Sequence, residues 1–279
     1  MTLNIRSTVR LANGVEMPLL GLGTYKTTDS VEIEESVGAA LEIGYRAIDP
    51  ASLYDNEEGI GPAMGAIAAS VVERSDLFLA SKVWNDEQGY QGTLDACERS
   101  MRRLGVDQLD LYLVHWPQPD RMADTWRAME ELLGAGRVRA IGVCNHFVEH
   151  LEMLARTARV APMVDQFEHH PWLQQPELVD YCRERDVVVE AWGPVMRGRF
   201  REEPVLTAIA ADYGRTPAQI VLRWIVQRGI VAIPKSVHPE RVRENAGIFG
   251  FELTEQTMTE IALLDRGERL GPHPDRWLD

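Results

Sequence analysis

The sequence predicts a single (β/α)8 barrel of the α/β class. Apolar, β-branched runs of about five residues alternate with amphipathic segments of about ten to sixteen, which indicates strands and helices in turn. No linker or shift in composition interrupts this alternation over the 279 residues. Eight such units fit a closed barrel of about 250 residues with additions. A doubly wound sheet is the alternative that the same alternation allows.

Each element has its own signal in the chain. Asn13-Gly14 predicts a hairpin within residues 1–18, because both turn positions need positive φ, and we expect this hairpin to cap the barrel. The predicted barrel strands are 19–24, 46–49, 77–83, 110–115, 139–144, 163–167, 187–192 and 230–234. The predicted helices are 30–43, 57–69, 88–104, 121–134, 148–157, 176–185, 203–228 broken before Pro217, 239–247 and an additional C-terminal one at 254–265. We expect one domain over residues 1–279, with residues 266–279 as a tail over the barrel mouth.

Composition excludes several classes of function. The net charge of -14 argues against nucleic acid and anionic membranes as partners, since both require a positive face. No signal peptide is recognisable, and no apolar run approaches the roughly 18 residues of a membrane span, so we expect a cytoplasmic protein. The three cysteines have no C-x-x-C spacing, which indicates neither a disulfide framework nor structural zinc. A monomer is the expected state.

Function in a barrel lies at the C-terminal ends of the strands. Every predicted strand end carries a polar or aromatic side chain. In chain order these are Thr24-Tyr25, Asp49, Lys82-Val83-Trp84, His115-Trp116, Cys144-Asn145, Gln166, Trp192 and Lys235-Ser236. A barrel with a purely structural role does not require a polar or aromatic side chain at every strand end.

Three of these positions, together with Tyr54 in the loop after Asp49, predict a proton-donating site. Lys82, placed between Asp49 and Tyr54, would lower the pKa of the phenol, while Asp49 keeps the ammonium charged and in place. His115 could orient a carbonyl oxygen and stabilise its growing charge. The set contains neither a nucleophile nor a metal, so we expect a cofactor to bring the hydride.

The second half of the chain predicts a nicotinamide site. The amides of Asn145 and Gln166 can hold a carboxamide, and Trp192 offers a flat face for a nicotinamide ring. Lys235 and Ser236 precede a helix start that also carries Arg241, which is an anion site suited to the 2′-phosphate of NADPH.

Seven stretches of the chain resemble the aldo-keto reductase family. They are G-Y-R-A-I-D-P-A-S-L-Y-D-N-E-E-G-I-G (44–61), S-K-V-W-N (81–85), L-D-L-Y-L-V-H-W-P (109–117), I-G-V-C-N-H (141–146), D-Q-F-E-H-H-P (165–171), A-W-G-P-V (191–195) and I-P-K-S-V-H-P-E-R (233–241). The resemblance implies a (β/α)8 barrel and NADPH-dependent reduction of small carbonyl substrates. It implies Tyr54 as acid, Lys82 and Asp49 as the groups that tune it, and His115 as the group that orients the substrate. Within the family, the chain is most similar to the prokaryotic 2,5-diketo-D-gluconate reductase-like branch.

Together, the residues and the resemblance define the expected contacts. The expected cofactor contacts are Gly23, Thr24, Tyr25, Asp49, Cys144, Asn145, Gln166, Trp192, Gly193, Pro194, Val195, Lys235, Ser236, Val237, His238, Arg241, Glu244 and Asn245. The expected substrate contacts are Tyr25, Tyr54, Trp84, His115 and Trp116. No metal ligand is expected.

Some positions depart from the family pattern. Cys144 stands where the family usually has serine, and Asp165 where it usually has asparagine; both changes bear on nicotinamide contact. His238 replaces the usual threonine or arginine. After the seventh strand, we hypothesise that Arg197 or Arg199 helps to hold the pyrophosphate or an acidic substrate.

Alternative functions also follow from the residues. One is a nicotinamide-binding regulatory subunit that acts as a redox sensor, and another is a metal-dependent barrel hydrolase, which would need several His and carboxylate ligands at strand ends. Residues 146–150 fit H-x-x-E-H, but they straddle a strand end and a helix start, whereas zinc binding requires both histidines on one helix face. The glycines from Gly59 lack the G-x-G-x-x-G spacing and indicate helix packing.

Overall fold

The computed structural model of the protein describes residues 3–68 and 72–276. The predicted (β/α)8 barrel is confirmed: eight parallel strands follow one another around the sheet in chain order. Two short antiparallel strands precede them. The strands are β1 (Thr8–Arg10), β2 (Glu16–Pro18), β3 (Gly21–Gly23), β4 (Ala47–Asp49), β5 (Phe78–Val83), β6 (Leu111–Val114), β7 (Ile141–Cys144), β8 (Val164–Glu168), β9 (Val188–Trp192) and β10 (Val231–Ala232).

The helices lie close to the predicted segments. They are α1 (Ser30–Ile43), α2 (Glu57–Ala68), α3 (Tyr90–Leu104), α4 (Met122–Gly134), α5 (Val148–Ala155), α6 (Pro176–Arg183), α7 (Pro204–Tyr213), α8 (Pro217–Gln227), α9 (Pro239–Ala246) and α10 (Glu255–Ala262). The predicted end of α2 at residue 69 falls outside the described residues. α7 and α8 are separate helices because Gly214 ends the first in a left-handed conformation and Thr216 begins the next with a capping box.

The barrel closes where its first and last strands meet. Leu20 forms a parallel bridge with Ala232, and Gly23 forms one with Lys235. A Cβ atom at Gly23 would lie 2.7 Å from the carbonyl oxygen of Ile233, so only glycine permits this approach. The seam brings β3 and the segment after β10 to the same edge of the barrel mouth.

The N-terminal hairpin contacts the opposite end of the barrel. β1 and β2 pair antiparallel around a turn at Asn13 and Gly14, where Gly14 has φ +88°. The side-chain amide of Asn13 donates a hydrogen bond to the carbonyl of Arg139, 2.8 Å away, directly before β7. The hairpin therefore lies away from the strand ends that carry the polar groups.

The core is continuous between the strands and the surrounding helices. Both faces of the parallel strands are buried, and all six residues of β5 and all four of β6 and β7 are buried. Within residues 3–68 and 72–276, no helix is both long and apolar enough to cross a membrane.

Candidate active site

The C-terminal ends of the strands surround a cavity of about 380 Å³. Residues of seven strand ends, those of every barrel strand except β5, and of the loops after β3, β4 and β9 form its wall. They are Gly23, Thr24, Tyr25, Lys26, Asp49, Leu53, Tyr54, His115, Trp116, Asn145, Gln166, Trp192, Gly193, Pro194, Val195, Arg197, Ile233, Lys235 and Pro272. Most of the predicted site residues thus meet in one place.

Lys82 and Asp49 form a buried ion pair at this end of the barrel. Nζ of Lys82 lies 2.6 Å from Oδ2 of Asp49 and donates a second hydrogen bond to the carbonyl of Pro50 at 3.0 Å. Burial by itself lowers the pKa of Lys82, but the charge of Asp49 and the neighbouring Tyr54 outweigh burial and raise it. The ammonium therefore remains charged although it is closed off from solvent.

Tyr54 lies against this ion pair. A short 3-10 turn, Ser52–Tyr54, places it directly after β4, and the Lys82 Nζ is 4.9 Å from its ring centroid. The ammonium lowers the pKa of the phenol, as expected. However, burial has the larger effect, so the pKa of Tyr54 is raised overall in the free protein. At neutral pH the hydroxyl carries its proton, as a proton donor must.

His115 faces Tyr54 across the cavity, with ring centroids 5.5 Å apart. Burial and the charge of Lys82 hold the pKa of His115 well below its usual value, so the imidazole is neutral. Its Nδ1 atom has no hydrogen-bond partner among the described residues. A neutral imidazole can donate one hydrogen bond to an oxygen without competing with Tyr54 as the acid.

Two amides have fixed orientations beside the catalytic candidates. Asn145 accepts a hydrogen bond from Nε1 of Trp192 at 2.8 Å and donates one to the carbonyl of His115 at 3.0 Å. Gln166 donates from Nε2 to Asp49 at 3.1 Å and to Glu190 at 2.8 Å. Asn145 retains one free N–H and Gln166 a free Oε1, since neither atom has another partner in the described chain. A donor and an acceptor side by side are complementary to a carboxamide.

The predicted phosphate site lies along the segment that leads from the seam into α9. Lys235 lines the cavity, whereas the other predicted residues of this segment lie outside its wall. Lys235, His238 and Arg241 are exposed, Ser236 and Asn245 are buried, and Glu244 accepts a hydrogen bond from Thr216. Ser236 Oγ accepts from the backbone N–H of His238 at 3.1 Å, which shapes the turn before the helix. Val237 is half-buried in that turn.

Three further predicted positions are not part of the cavity wall. Cys144 is buried in the barrel interior beside Gln166, its register partner, and burial raises the pKa of its thiol far above the usual value. Asp165 alternates with Gln166 along β8, so its side chain points to the opposite face. There it contributes to the raised pKa of the Cys182 thiol on α6. Trp84 contacts His115, with ring centroids 5.0 Å apart.

Sequence reasoning missed two buried carboxyl groups, Glu190 and Glu168. Glu190 lies in V-V-V-E-A-W, and Glu168 ends β8; both are about 1–2% exposed. Strands of a parallel sheet usually read as continuous apolar runs, so an acidic residue inside one was the available signal. Glu190 contacts Gln166, and Glu168 holds the C-terminal tail.

Glu168 holds the C-terminal tail beside the cavity. The carboxylate accepts hydrogen bonds from the backbone N–H groups of Leu270 and Gly271 at 2.7 and 3.1 Å, and Arg269 lies 3.5 Å away. A Cβ at Gly271 would lie 2.3 Å from the ring of Trp192, so the tail packs tightly on that indole. Pro272 then lines the cavity. Residues 277–279 of the predicted tail lie outside the described chain.

The two arginines after β9 differ in their contacts. Arg199 pairs with Glu202 at 3.1 Å and with Glu268 of the tail at 2.7 Å. Arg197 is exposed, lines the cavity, and makes no ion pair with any described residue. Of the two, only Arg197 is placed to meet a ligand in the cavity.

The H-x-x-E-H stretch does not form a metal centre in the described chain. Nδ1 of His146 lies 2.8 Å from the carbonyl of Cys144, and His150 lies 3.4 Å from Asp275. No group of three or more His, Cys, Asp or Glu side chains among residues 3–68 and 72–276 is arranged to hold a metal ion.

Comparisons with known proteins place this chain in a family. The model of the Aldo/keto reductase family matches residues 19–266. The chain is 50% identical to the glyoxal reductase of Bacillus subtilis (strain 168), with 100% of both chains covered. It is 42% identical to the methylglyoxal reductase DkgA of Salmonella typhimurium, covering 96% of this chain and 97% of that one.

A solved structure has the same fold. The crystal structure of a Gox0644 mutant in complex with NADPH superposes with a TM-score of 0.91 at 40% identity, covering 97% of this chain and 98% of that one. The family match and these relatives extend over nearly the whole sequence. The chain is a member of the aldo/keto reductase family.

Proposed function

We propose that this protein is an NADPH-dependent reductase that converts aldehydes and ketones to alcohols. The observation that carries the proposal is the joint position of Tyr54, the Lys82–Asp49 ion pair and neutral His115 around one cavity. These groups can protonate an oxygen, and they provide no nucleophile to attack a carbon.

The cavity suits a nicotinamide cofactor in the chemistry of its wall. The free N–H of Asn145 and the free Oε1 of Gln166 would hold the carboxamide, and the ring would lie against Trp192. Lys235 and Arg241 would meet the 2′-phosphate, and Ser236, Val237, His238, Glu244 and Asn245 lie along the same segment. When bound, NADPH supplies the hydride.

The chain's own residues do the rest. His115 would donate a hydrogen bond to the carbonyl oxygen and orient it, and Tyr54 would transfer its proton to that oxygen as the alcohol forms. Lys82 stabilises the resulting phenolate, and Asp49 keeps Lys82 in position. Tyr25, Leu53, Trp116 and Pro272 would enclose the substrate with apolar surface.

Small dicarbonyl compounds are the proposed substrate class. Two relatives are named as glyoxal and methylglyoxal reductases, and the chain resembles the 2,5-diketo-D-gluconate reductase branch. The cavity of about 380 Å³ must take the nicotinamide as well as the substrate, which favours a small molecule. Arg197 offers a cation for an acidic substrate or for the pyrophosphate.

The test follows NADPH absorbance with purified protein. We expect turnover with glyoxal, methylglyoxal or 2,5-diketo-D-gluconate, and faster turnover with NADPH than with NADH. An aromatic aldehyde serves as the comparison for substrate size. Tight NADPH binding without reduction of any carbonyl would contradict the proposal and favour the redox sensor.

A further inference from the structure

Glu190 is a carboxyl group inside the barrel that the proposed proton transfer does not use. It lies on β9 opposite Gln166 of β8, in a stretch of four apolar neighbours. It is 2% exposed. Burying a carboxyl group costs free energy unless a partner compensates, so its presence among valines requires a reason.

The partner of Glu190 is the amide of Gln166. Nε2 of Gln166 donates one hydrogen to Oε2 of Glu190 at 2.8 Å and the other to Oδ1 of Asp49 at 3.1 Å. Because the second oxygen of Asp49 accepts from Lys82, four side chains form one buried row that ends at Glu190.

This row determines which atom of Gln166 faces the cavity. A flipped amide would set its oxygen against the Asp49 carboxylate, which has no hydrogen to donate in return, and the N–H bonded to the Glu190 oxygen would be lost as well. The observed orientation leaves Oε1 as the remaining acceptor of a side chain that lines the cavity. With Asp49 alone, one N–H of the amide would lack a partner, and the side chain could turn away.

Protonation of Glu190 is compatible with this role. Burial, together with the charge of Asp49, raises the pKa of Glu190 to about 8, while Gln166 and Lys82 act in the opposite direction. Around neutral pH the row therefore does not contain a second full negative charge, and one Glu190 oxygen still accepts from Gln166.

We propose that Glu190 is a positioning residue: with Asp49 it holds the Gln166 amide so that Oε1 accepts a hydrogen bond from the carboxamide N–H of the nicotinamide. The inference rests on the proposed function, because it requires a nicotinamide in the cavity. It concerns binding of one cofactor group and assigns Glu190 no contact with substrate.

The experiment compares two cofactors on three variants. Dissociation constants are measured by quenching of tryptophan fluorescence with NADPH and with its reduced acetylpyridine analogue, in which a methyl ketone replaces the carboxamide. Glu190→Met removes the acceptor, Glu190→Gln retains an oxygen acceptor, and Asp165→Asn changes a buried carboxyl on the other face of β8 as the matched control. Circular dichroism and thermal unfolding check that each variant folds.

The proposal predicts a specific pattern. The wild-type protein binds the analogue at least about tenfold more weakly than NADPH, because the ketone has no N–H for Oε1. Glu190→Met weakens NADPH about tenfold and the analogue by less than about twofold, so the preference largely disappears. Glu190→Gln and Asp165→Asn keep the wild-type preference.

Other outcomes overturn the inference. Equal weakening of both cofactors in Glu190→Met would assign the residue a general structural role, and an unchanged preference would remove any role in holding Gln166. If Glu190→Met does not fold, equal affinity of the wild type for both cofactors still refutes the proposal. A wild-type protein that binds no NADPH would refute the proposed function itself, whereas binding and turnover with an insensitive Glu190→Met would refute only the inference on Glu190.

Discussion

Lys82 and Asp49 lie 2.6 Å apart, Nζ to Oδ2, with both side chains shielded from water. Removal of one partner leaves the other as an uncompensated buried charge. We therefore expect Lys82→Met to lower the free energy of unfolding by about 3–5 kcal/mol, measured by guanidinium denaturation. Adding Asp49→Asn should recover part of that loss. If Lys82→Met is as stable as the wild type, Asp49 must bind another partner or become protonated in the variant.

Tyr54 is the proposed acid, and its hydroxyl can be removed without a change in shape. Tyr54→Phe should lower kcat by at least about a hundredfold, because general acid catalysis typically contributes that much or more. Quenching of tryptophan fluorescence by NADPH should persist, since Trp192 is unchanged. Tyr90→Phe, at the start of α3 and outside the cavity wall, is the matched control. Retention of most turnover in Tyr54→Phe would contradict its role as proton donor.

Variants of Arg197 and Arg199 should affect different properties, ligand binding for Arg197 and attachment of the tail for Arg199. Arg197→Ala should raise the KM for NADPH or for an acidic substrate about three- to tenfold, as expected for a lost contact to an anion. Arg199→Ala removes the ion pair to Glu268 and should chiefly lower Tm. Steady-state kinetics and thermal unfolding of the pair decide between them. Unchanged KM values in Arg197→Ala would end the hypothesis that it binds an anion.

His146, which is buried, should make the protein less stable in acid. Burial lowers the pKa of His146 to about 3, although the carbonyl of Cys144 opposes the shift. In the unfolded chain the pKa is about 6.5. The stabilisation is therefore complete above about pH 6.5 and is lost as pH falls toward 3, by up to about 1.4 kcal/mol per pH unit.

The check is denaturation at pH 7 and pH 5. His146→Asn should lose less stability between these two values than the wild type, because the variant has no imidazole to protonate at this position. His238→Asn, whose side chain is exposed, should leave the difference unchanged. If His146→Asn and the wild type lose the same free energy of unfolding between pH 7 and pH 5, His146 does not cause the loss of stability in acid.

Gly271 sets the position of the tail on Trp192. The Cβ of Gly271→Ala would lie 2.3 Å from Cη2 of the indole, which is itself held by Asn145, so the tail must move. Overpacking of this kind costs about 1–3 kcal/mol. We expect a KM for NADPH or substrate raised at least about threefold, read from steady-state kinetics. Gly134→Ala in α4, where nothing lies within 4 Å of the added Cβ, should have wild-type kinetics.

Much of the fold was predictable because its signals are local. The break before Pro217 and the Asn13-Gly14 turn are each decided by a few neighbouring residues. The last strand was predicted as 230–234 but comprises only Val231–Ala232. Isolated bridges join Ala232 to Leu20 and Lys235 to Gly23, and such pairing between distant segments leaves no local pattern in the chain.

It was also predictable that the polar strand ends lie close together. The opposing effects of charge and burial on their pKa values were not predictable. Lys82 does lower the pKa of Tyr54, but burial exceeds this effect, and burial depends on all the elements that pack around the phenol. The contact of Gln166 with Glu190 depends on strand register. The attachment of the tail to Glu168 joins residues 102 positions apart, beyond the reach of any motif.

The bridge between Gly23 and Lys235 has a consequence for synthesis of the chain. The cavity wall includes residues from both ends of the barrel sequence, from Gly23 to Lys235 and then Pro272. A nascent chain leaves the ribosome N-terminus first. Asp49, Tyr54, Lys82 and His115 therefore emerge early, but the pocket around them cannot form until the last strand has left the exit tunnel. The pocket, and with it the proposed activity, is acquired only near the completion of translation.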